Sequence, residues 1–273
     1  MKVIIPLAGE GTRMRPHTHT KPKPLFEFAG KSCLSHILDE LKLFNDKQKK
    51  NPKVNKKEAV ISEIIFITGK MKEKIEEFVT KNYDFKARFI EQKVRDGTAG
   101  AIRLAQPYVK EPVIIVYVDT IFEADLGLIN KLKADEGGII WAKEVEDYQR
   151  FGVCVLDNSG YIKKIVEKPK PEEAPSSRLA AFGRFVLVPE ICQILKELPP
   201  GKEGELWLTD AIEEYIRQGN LVVAQPVQNG RWYTTGDPLR FLEAVIQYTL
   251  ARDDYGPTFR EYLKRECNSN GIK

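Results

Sequence analysis

The sequence feature that most constrains the fold is the run 113–118, VIIVYV, in which every residue is apolar. A strand that is apolar on both faces has to be covered on both, which is typical of parallel sheets flanked by helices. Shorter apolar runs at 3–5 and 64–67, and a third strand-like stretch at 88–90, precede it. Because the segments between these runs carry apolar residues at helical spacing, the sequence predicts an α/β fold with a doubly wound sheet.

The order of predicted elements changes halfway along the chain, from alternating strands and helices to consecutive short strands. In the first half, helices are predicted at 35–44, 72–79 and 99–105. Past residue 138 the apolar runs become shorter and predict strands at 139–142, 153–156, 161–166 and 182–188. Since no linker separates these strands from the first half, we expect them to form an antiparallel or mixed extension of the same sheet. Helical spacing returns at 191–198, 209–217 and 238–250.

Composition excludes several classes of protein. The chain has 43 lysines and arginines against 39 aspartates and glutamates, a formal net charge of +4. No apolar stretch reaches the roughly 18 residues that a membrane-spanning helix needs, so we expect no membrane partner. The N-terminal stretch lacks the features of a signal peptide, and the four cysteines are scattered singly. We therefore expect a cytoplasmic protein with reduced thiols.

A lysine-rich segment accounts for much of the positive excess. Residues 47–57 contain six lysines and no acidic residue. Because no aromatic residue is interleaved with them, we interpret 46–59 as a flexible insertion and expect no nucleic-acid partner. The alternative, an RNA-binding protein that uses this segment, predicts an affinity for nucleic acid that falls steeply with salt.

The loop after the first strand is a candidate phosphate site. In a doubly wound sheet, ligands bind at the carboxyl ends of the strands. Gly9 and Gly11 would let backbone N–H groups approach an anion closely. Four cations near this loop supply positive charge: Arg13, Arg15, Lys21 and Lys23. The Walker A and dinucleotide patterns are both absent, so a structural turn is the alternative interpretation.

Two further strand ends carry charged residues. Asp119 directly follows the run 113–118, and a carboxylate placed there beside a polyphosphate is suited to Mg²⁺; capping of the next loop is the alternative. Glu167 and Lys168 end a later strand, where adjacent residues of an extended chain point to opposite sides. Only a twist at Pro169 would bring both into one site, so a surface charge pair is the default interpretation.

These residues carry a resemblance to a known family. The stretch 8–14, AGEGTRM, with the later Pro-Lys-Pro at 22–24, resembles the signature of the sugar-1-phosphate nucleotidylyltransferases. Further matches follow in the family's order: Gln92, 97–101, Asp119, 151–153, 167–169, Gly183 and 208–212. Within the family, 6–14 and 166–187 look most like the bacterial UTP:glucose-1-phosphate uridylyltransferases, and the thymidylyltransferases are the alternative. The ordered set favours functional roles for Asp119, Glu167 and Lys168.

The resemblance implies a Rossmann-like, doubly wound mixed sheet with a small antiparallel sugar-binding extension. One domain would span 1–273, with a nucleotide-binding half at about 1–137, a sugar-binding half at about 138–237 and a C-terminal helix at 238–273. The apolar residues at 238–250 would pack on the sheet, and contact within a homo-oligomer is the alternative for them.

The resemblance also implies roles for individual residues. The nucleotide would contact Leu7, Ala8, Gly9, Glu10, Gly11, Thr12, Gln92, Gly97 and Thr98. The sugar phosphate would contact Gly152, Glu167, Lys168 and Gly183. Arg13, Lys23 and Lys168 would be catalytic because they balance phosphate charge, and Asp119 would hold Mg²⁺ as the cofactor.

The implied reaction joins UTP, or dTTP, to glucose-1-phosphate or a related sugar-1-phosphate and releases pyrophosphate. A phosphate oxygen of the sugar phosphate would attack the α-phosphorus of the nucleotide in line. Because the second pKa of a phosphate monoester is about 6, this oxygen is largely ionised at neutral pH, and no general base is required. The repulsion between two polyanions is then the main barrier, which metal and cationic side chains lower.

One position departs from the family pattern. Members commonly carry a second metal-binding Asp after an aromatic residue, and Thr234 occupies that place here. A neutral hydroxyl is a poor substitute for a carboxylate on Mg²⁺, so either Asp237 replaces it or Asp119 and the phosphates hold the metal alone. A regulatory protein that binds sugar nucleotides without catalysis is the remaining alternative.

Overall fold

The computed structural model of the chain describes residues 1–52, 60–173, 176–201, 204–227, 231–269 and 271. The strands are β1 Lys2–Pro6, β2 Glu27–Phe28, β3 Lys31–Ser32, β4 Glu63–Thr68, β5 Ala87–Glu91, β6 Val113–Val116, β7 Thr120–Phe122, β8 Glu136–Glu144, β9 Gly152–Leu156, β10 Ile162–Glu167, β11 Leu179–Leu187, β12 Leu221–Pro226 and β13 Trp232–Thr234. The helices are α1 Cys33–Lys50, α2 Lys72–Asn82, α3 Thr98–Ala105, α4 Pro189–Ile194, α5 Leu208–Arg217, α6 Pro238–Leu250 and α7 Gly256–Ser269.

One mixed sheet of nine strands organises the described part of the chain. Its order is β10-β9-β11-β6-β1-β4-β5, and β8 and β12 extend it from β11. The strands β6, β1, β4 and β5 are parallel to one another. Antiparallel pairing begins where β11 joins β6, and it continues to β8, β9 and β10. The predicted α/β class, with a doubly wound mixed sheet and an antiparallel extension, is therefore confirmed.

Helices cover both faces of this sheet, and the sequence of β1 shows how. Val3 and Ile5 point into one core cluster, which includes apolar residues of α1 and α2. Ile4, between them, points into a second cluster with residues of α3, α4 and α5. Alternate side chains of a strand point to opposite faces, so a strand between two helical layers needs apolar residues at every position.

The structure corrects the predicted flexible insertion at 46–59 over its first five residues. Residues 46–50 belong to α1, which begins where the Ser32 hydroxyl accepts a hydrogen bond from the Ser35 amide. Gln48, inside the predicted insertion, is buried and accepts a hydrogen bond from Asn130. Lysines near the end of a helix also interact favourably with its dipole, which a prediction from charge alone overlooks. Residues 53–59 lie outside the described residues.

The structure also corrects the single C-terminal helix predicted for 238–273. Two helices, α6 and α7, replace it, with a turn at 251–255. Gly256 marks the break, because a Cβ there would lie 2.8 Å from the Leu250 carbonyl oxygen. No helix in the described ranges is both long enough and apolar enough to cross a membrane.

The strand predicted at 113–118 ends two residues early. β6 stops at Val116, and the Tyr117 amide then donates to the Gly183 carbonyl oxygen at 2.8 Å. The chain turns here and returns as β7, which pairs with β13 in a small antiparallel sheet. Five short strands, β2, β3, β7, β12 and β13, were not predicted from the sequence. The turn after β6 places Asp119 at the carboxyl edge of the parallel strands.

Candidate active site

Two clefts open at the carboxyl edge of the parallel strands. The first, the glycine-loop cleft, has a volume of about 450 Å³. It is lined by residues that include Leu7, Ala8, Gly9, Gly11, Thr12, Arg13, Lys23, Gln92, Gly97, Thr98 and Asp119. The structure thus brings eight of the nine predicted nucleotide-binding residues together around one cavity.

The second, the Lys168 cleft, lies against the antiparallel part of the sheet and has a volume of about 520 Å³. It is lined by residues that include Gly152, Glu167, Lys168, Gly183, Trp207, Thr209 and Thr234. All four predicted sugar-phosphate residues are among them. Arg13, Thr98, Tyr117, Asp119 and Gly236 line both clefts, so the two cavities meet at these residues.

The loop after β1 has the backbone conformation that its glycines allow. Gly11 has a φ of +61°, and a Cβ there would lie 2.9 Å from Thr18 Cγ2. The Thr18 hydroxyl donates to the Gly11 carbonyl oxygen at 3.1 Å, which fixes the turn. At Gly9 an added Cβ would meet no atom within 4 Å, so this residue keeps the mouth of the cleft open.

Glu10 is the predicted nucleotide-binding residue that does not line the glycine-loop cleft. Its carboxylate forms ion pairs with Arg95 at 2.6 Å, Lys70 at 3.3 Å and Arg15 at 3.3 Å. The hydrogen bond from Arg95, with that from Lys70, lowers the pKa of Glu10. The side chain lines a smaller cavity together with Arg15 and Lys70.

Two of the cations predicted for the phosphate site also lie elsewhere. Arg15 is turned to Glu10, and Lys21 forms an ion pair with Glu27 at 2.6 Å. Both line a separate groove against α6, not the two clefts. Arg13 and Lys23 are the members of that set that line the glycine-loop cleft.

Asp119 and Lys23 form an ion pair inside the cleft. Lys23 Nζ lies 3.3 Å from Asp119 Oδ2, and the nearby positive charge of Lys23 lowers the pKa of Asp119. The carboxylate is therefore ionised at neutral pH. The main chain at Asp119 is held by the residue that follows β13, because the Thr235 amide donates to the Asp119 carbonyl oxygen at 2.8 Å.

The donor chemistry around Asp119 fits one kind of metal site. The described residues contain no group of three or more His, Cys, Asp or Glu side chains that could hold a metal ion by themselves. Mg²⁺ is usually bound by one or two carboxylates together with substrate phosphates and water. An ionised carboxylate at the junction of two clefts suits that arrangement. Magnesium binding by Asp119 stays a prediction.

Gln92 and Gly97 sit side by side at the far end of the glycine-loop cleft. The Gln92 amide nitrogen donates to Asp96 Oδ1 at 3.1 Å and to the Gly97 carbonyl oxygen at 3.3 Å. Gly97 has a φ of +100°, and a Cβ there would lie 2.4 Å from the Leu206 carbonyl oxygen. Only glycine fits this position, which caps α3 just before Thr98.

Glu167 and Lys168 line the same cleft, which corrects the default interpretation of a surface charge pair. The twist occurs at Lys168 itself, whose φ is +40°. In that left-handed conformation the chain leaves the strand alternation, so both side chains reach the cavity. Glu167 accepts a hydrogen bond from the Thr209 hydroxyl at 2.9 Å, and Lys168 Nζ lies 4.0 Å from the centre of the Trp207 ring.

Several residues of the Lys168 cleft were not predicted from the sequence. Trp207 and Thr209 come from the start of α5, where 208–212 was recognised as a motif without roles for its members. An aromatic residue directly before that motif was the available signal for Trp207. Nothing in the sequence pointed to Tyr117, whose burial raises its pKa and which lines both clefts.

The structure separates the two candidates for a second metal ligand. Thr234 is 8% exposed and lines the Lys168 cleft, where its hydroxyl accepts a hydrogen bond from the Gly236 amide at 3.2 Å. Asp237 lies at the start of α6, accepts a hydrogen bond from the Arg240 amide at 3.1 Å and pairs with Arg150 at 2.7 Å. Its carboxylate is thus used in capping the helix, and it does not belong to the described lining of either cleft.

The nucleotidyl transferase family model matches residues 2–250. The chain is 30% identical to the "Putative UTP--glucose-1-phosphate uridylyltransferase" of Methanocaldococcus jannaschii, over 96% of this chain and 97% of that protein. It is 34% identical to the "Bifunctional protein GlmU" of the same organism and spans about half of that longer protein, 53%.

Solved structures show the same fold. A UDP-glucose pyrophosphorylase complexed with UDP-glucose is 25% identical, with a TM-score of 0.76, and the match covers 92% of this chain and 99% of that one. The "Putative Glucose-1-Phosphate Thymidylyltransferase from Bacillus anthracis" is 26% identical, with a TM-score of 0.75, over 93% of this chain and 96% of that one.

Proposed function

The chain belongs to the nucleotidyl transferase family, and on that premise we propose that it transfers the uridylyl group of UTP to glucose-1-phosphate, giving UDP-glucose and pyrophosphate. The observation that carries the proposal is the junction of the two clefts. Arg13 and Asp119 line both cavities, Lys23 lines one and Lys168 the other. Two phosphorylated substrates, one in each cleft, would meet between these charges.

The nucleotide would occupy the glycine-loop cleft. Backbone N–H groups at Gly9 and Gly11 would bind the triphosphate, because these residues carry no side chain that would keep an anion away. Gln92, which is 9% exposed, would hydrogen-bond the edge of a pyrimidine, and Gly97 would leave room beside it. UTP, a pyrimidine nucleotide, suits this end of the cavity.

The sugar phosphate would occupy the Lys168 cleft. Glu167, held by the Thr209 hydroxyl, would accept hydrogen bonds from sugar hydroxyls. Lys168 would bind the phosphate and orient one of its oxygens towards the α-phosphorus of the nucleotide. Gly152 keeps this space open, because a Cβ there would lie 2.7 Å from Thr209 Cγ2 and 3.2 Å from Glu167 Oε2.

Charge neutralisation is then the main task of the site. Lys23 and Arg13 would balance the negative charge that collects on the departing pyrophosphate. No side chain has to remove a proton, since the attacking phosphate oxygen is already ionised at neutral pH. Magnesium, bound by Asp119 and phosphate oxygens, would lower the repulsion between the two substrates.

A substrate panel tests the proposal. The purified protein is incubated with UTP, dTTP, CTP, ATP or GTP and with different sugar-1-phosphates in the presence of Mg²⁺, and pyrophosphate release is measured. We expect the highest kcat/KM with UTP and glucose-1-phosphate. Turnover with another pair alone would show that UTP and glucose-1-phosphate are not the substrates. Absence of turnover with every pair would contradict the proposed activity.

Thymidylyl transfer is the second candidate. It is supported by the structural likeness to the B. anthracis protein, whose name specifies glucose-1-phosphate and a thymidylyl group. The same panel separates it, since dTTP would then be preferred to UTP. A regulatory protein without catalysis, suggested by Thr234, would release no pyrophosphate in the panel and would bind UDP-glucose tightly in a separate binding measurement.

A further inference from the structure

An arginine lies fully buried directly behind the two clefts. Arg184, in β11, is 0% exposed, and its Nη2 donates to Glu40 Oε2 of α1 at 3.0 Å. Removal of a guanidinium from water is unfavourable unless an opposite charge and several hydrogen bonds compensate for it. The partners of this side chain therefore indicate what it is for.

Three backbone carbonyl oxygens surround the other terminal nitrogen of Arg184. Nη1 donates to Tyr117 at 3.4 Å, to Thr120 at 3.2 Å and to Gly183 at 3.3 Å. Tyr117 and Thr120 lie on either side of Asp119, and Gly183 lines the Lys168 cleft. One guanidinium group thus contacts both chain segments that border the junction of the clefts.

The segment that carries Asp119 needs such a partner. After β6 ends at Val116 the chain turns away from the sheet, so its carbonyl groups lose the regular ladder of hydrogen bonds. Arg184 supplies donors for two of these carbonyl groups from inside the core. The Thr235 amide, which donates to the Asp119 carbonyl oxygen at 2.8 Å, holds the same turn from the opposite side.

Stability alone does not account for this ion pair, in which Arg184 is buried and the Glu40 side chain is 25% exposed. Glu40 Oε1 is buried and has no hydrogen-bond partner in the described part of the chain. The guanidinium carbon of Arg184 also lies 5.2 Å from the centre of the Phe122 ring. Replacement of buried ion pairs by apolar residues is often neutral or stabilising, so a pair with one unsatisfied oxygen is a poor device for stability.

We infer that Arg184 is a positioning residue, which holds the Asp119 carboxylate at the junction of the two clefts through the carbonyl groups of Tyr117 and Thr120. Glu40 orients the guanidinium from α1. The inference rests on the proposed function, in which Asp119 acts between the two substrates. Because Arg184 is fully buried, it contacts neither substrate.

The test uses two replacements of Arg184 and one matched control. Arg184→Lys keeps a positive charge opposite Glu40 but loses the planar fork that contacts several acceptors at once. Arg184→Met removes the charge as well. The control is Glu63→Gln, which alters another buried ion-paired carboxylate, bound to Lys2 and Arg88, at the amino end of β4 and so at the opposite edge of the sheet.

Hydrogen exchange gives a readout that does not depend on activity. We expect Arg184→Lys to accelerate exchange of the Thr235 amide and of residues 117–120 about tenfold or more relative to amides of β1. Glu63→Gln is expected to leave that ratio unchanged. Equal acceleration in all strands of Arg184→Lys would show a purely structural role and would overturn the inference. If Arg184→Met does not fold, Arg184→Lys decides the question.

Kinetics give the second readout. A displacement of catalytic groups by about 1 Å can cost on the order of 100-fold in rate, so we expect Arg184→Lys to lower kcat about 10- to 100-fold. The KM values of both substrates are expected to change less than about threefold, since neither substrate contacts Arg184. Wild-type kcat in this variant would also overturn the inference. If the wild-type protein turns over no substrate pair, the proposed function fails, and hydrogen exchange still decides whether Arg184 holds the turn.

Discussion

The two clefts differ in the kind of groups that shape them. The glycine-loop cleft is formed where parallel strands end, and its shape depends on backbone conformations such as those of Gly11 and Gly97. The Lys168 cleft lies on antiparallel strands, and its polar groups are side chains held by other side chains, as Thr209 holds Glu167. The conformation of the glycine loop is therefore fixed by contacts within its local sequence, whereas the polar groups of the Lys168 cleft depend on contacts between distant segments.

The largest expected effect comes from Lys23, in the glycine-loop cleft. Lys23→Ala removes the cation nearest to Asp119, and loss of one charge-stabilising donor typically lowers kcat about 10²- to 10³-fold. Steady-state kinetics at saturating substrate measure it. Lys21→Ala, which alters a lysine of the same loop that faces Glu27 outside both clefts, is expected to retain wild-type kcat. Wild-type kcat in Lys23→Ala would show that Lys23 only neutralises Asp119.

Lys168 tests the other cleft. Hydrogen bonds to charged groups contribute about 1.5–3 kcal/mol, so Lys168→Ala is expected to lower kcat/KM for the sugar phosphate about 10- to 100-fold. The KM of the nucleotide is expected to stay near the wild-type value. Lys170→Ala serves as the control, since Lys170 is exposed and lies 4.0 Å from Glu172. Equal losses for both substrates would show that the two clefts are not separate binding sites.

A matched pair of glycine replacements tests which substrate each cleft binds. Gly9→Ala meets no atom within 4 Å and fills only the mouth of the glycine-loop cleft, whereas Gly152→Ala crowds Thr209 and Glu167. Each added methyl group would occupy space proposed for one substrate, and a misfit of one methyl group costs about 1–3 kcal/mol, so we expect about a tenfold rise in one KM for each variant. Gly9→Ala is expected to raise the KM of the nucleotide, and Gly152→Ala that of the sugar phosphate. The reverse pattern would show that each cleft binds the substrate assigned to the other.

The smallest expected effect concerns the stability of the fold and comes from His36, which lines neither of the two clefts. The His36 ring lies 4.4 Å from that of Phe28 and 4.9 Å from that of Tyr248, and burial lowers the pKa of His36 below its usual value near 6.5. As the pH falls, His36 therefore binds a proton at a higher pH in the unfolded chain than in the folded one. The contribution of His36 to stability is complete above about pH 6.5 and is lost as the pH falls below it.

Melting temperatures measured between about pH 8 and pH 5 check this prediction. We expect the wild-type melting temperature to fall by a few degrees more than that of His36→Phe, which keeps an aromatic ring in the cluster. His19→Gln, at an exposed histidine, is expected to follow the wild-type curve. Parallel curves for all three proteins would show that His36 does not set the pH dependence.

The sequence predicted the four parallel strands, β1, β4, β5 and β6, because strands between two helical layers are buried on both faces, but it missed the short strands β2, β3 and β7. It also placed Asp119 at a strand end and the two glycines in a loop beside it. It could not predict that Lys168 adopts a φ of +40°, because no residue type there marks a left-handed conformation. The partners of Arg184 and Thr209 depend on pairing between strands and helices far apart in the chain, which no local pattern records.

The position of Glu10 has a consequence for how an anion enters the protein. Its carboxylate forms ion pairs with Arg15, Lys70 and Arg95, but one negative charge offsets only one of these three positive charges. Arg95 is the member of this group that also lines the glycine-loop cleft, so a triphosphate bound there would compete with Glu10 for its guanidinium. The net positive charge of the cluster attracts an anion over a distance that salt shortens, so the affinity for the nucleotide is expected to fall as the ionic strength rises.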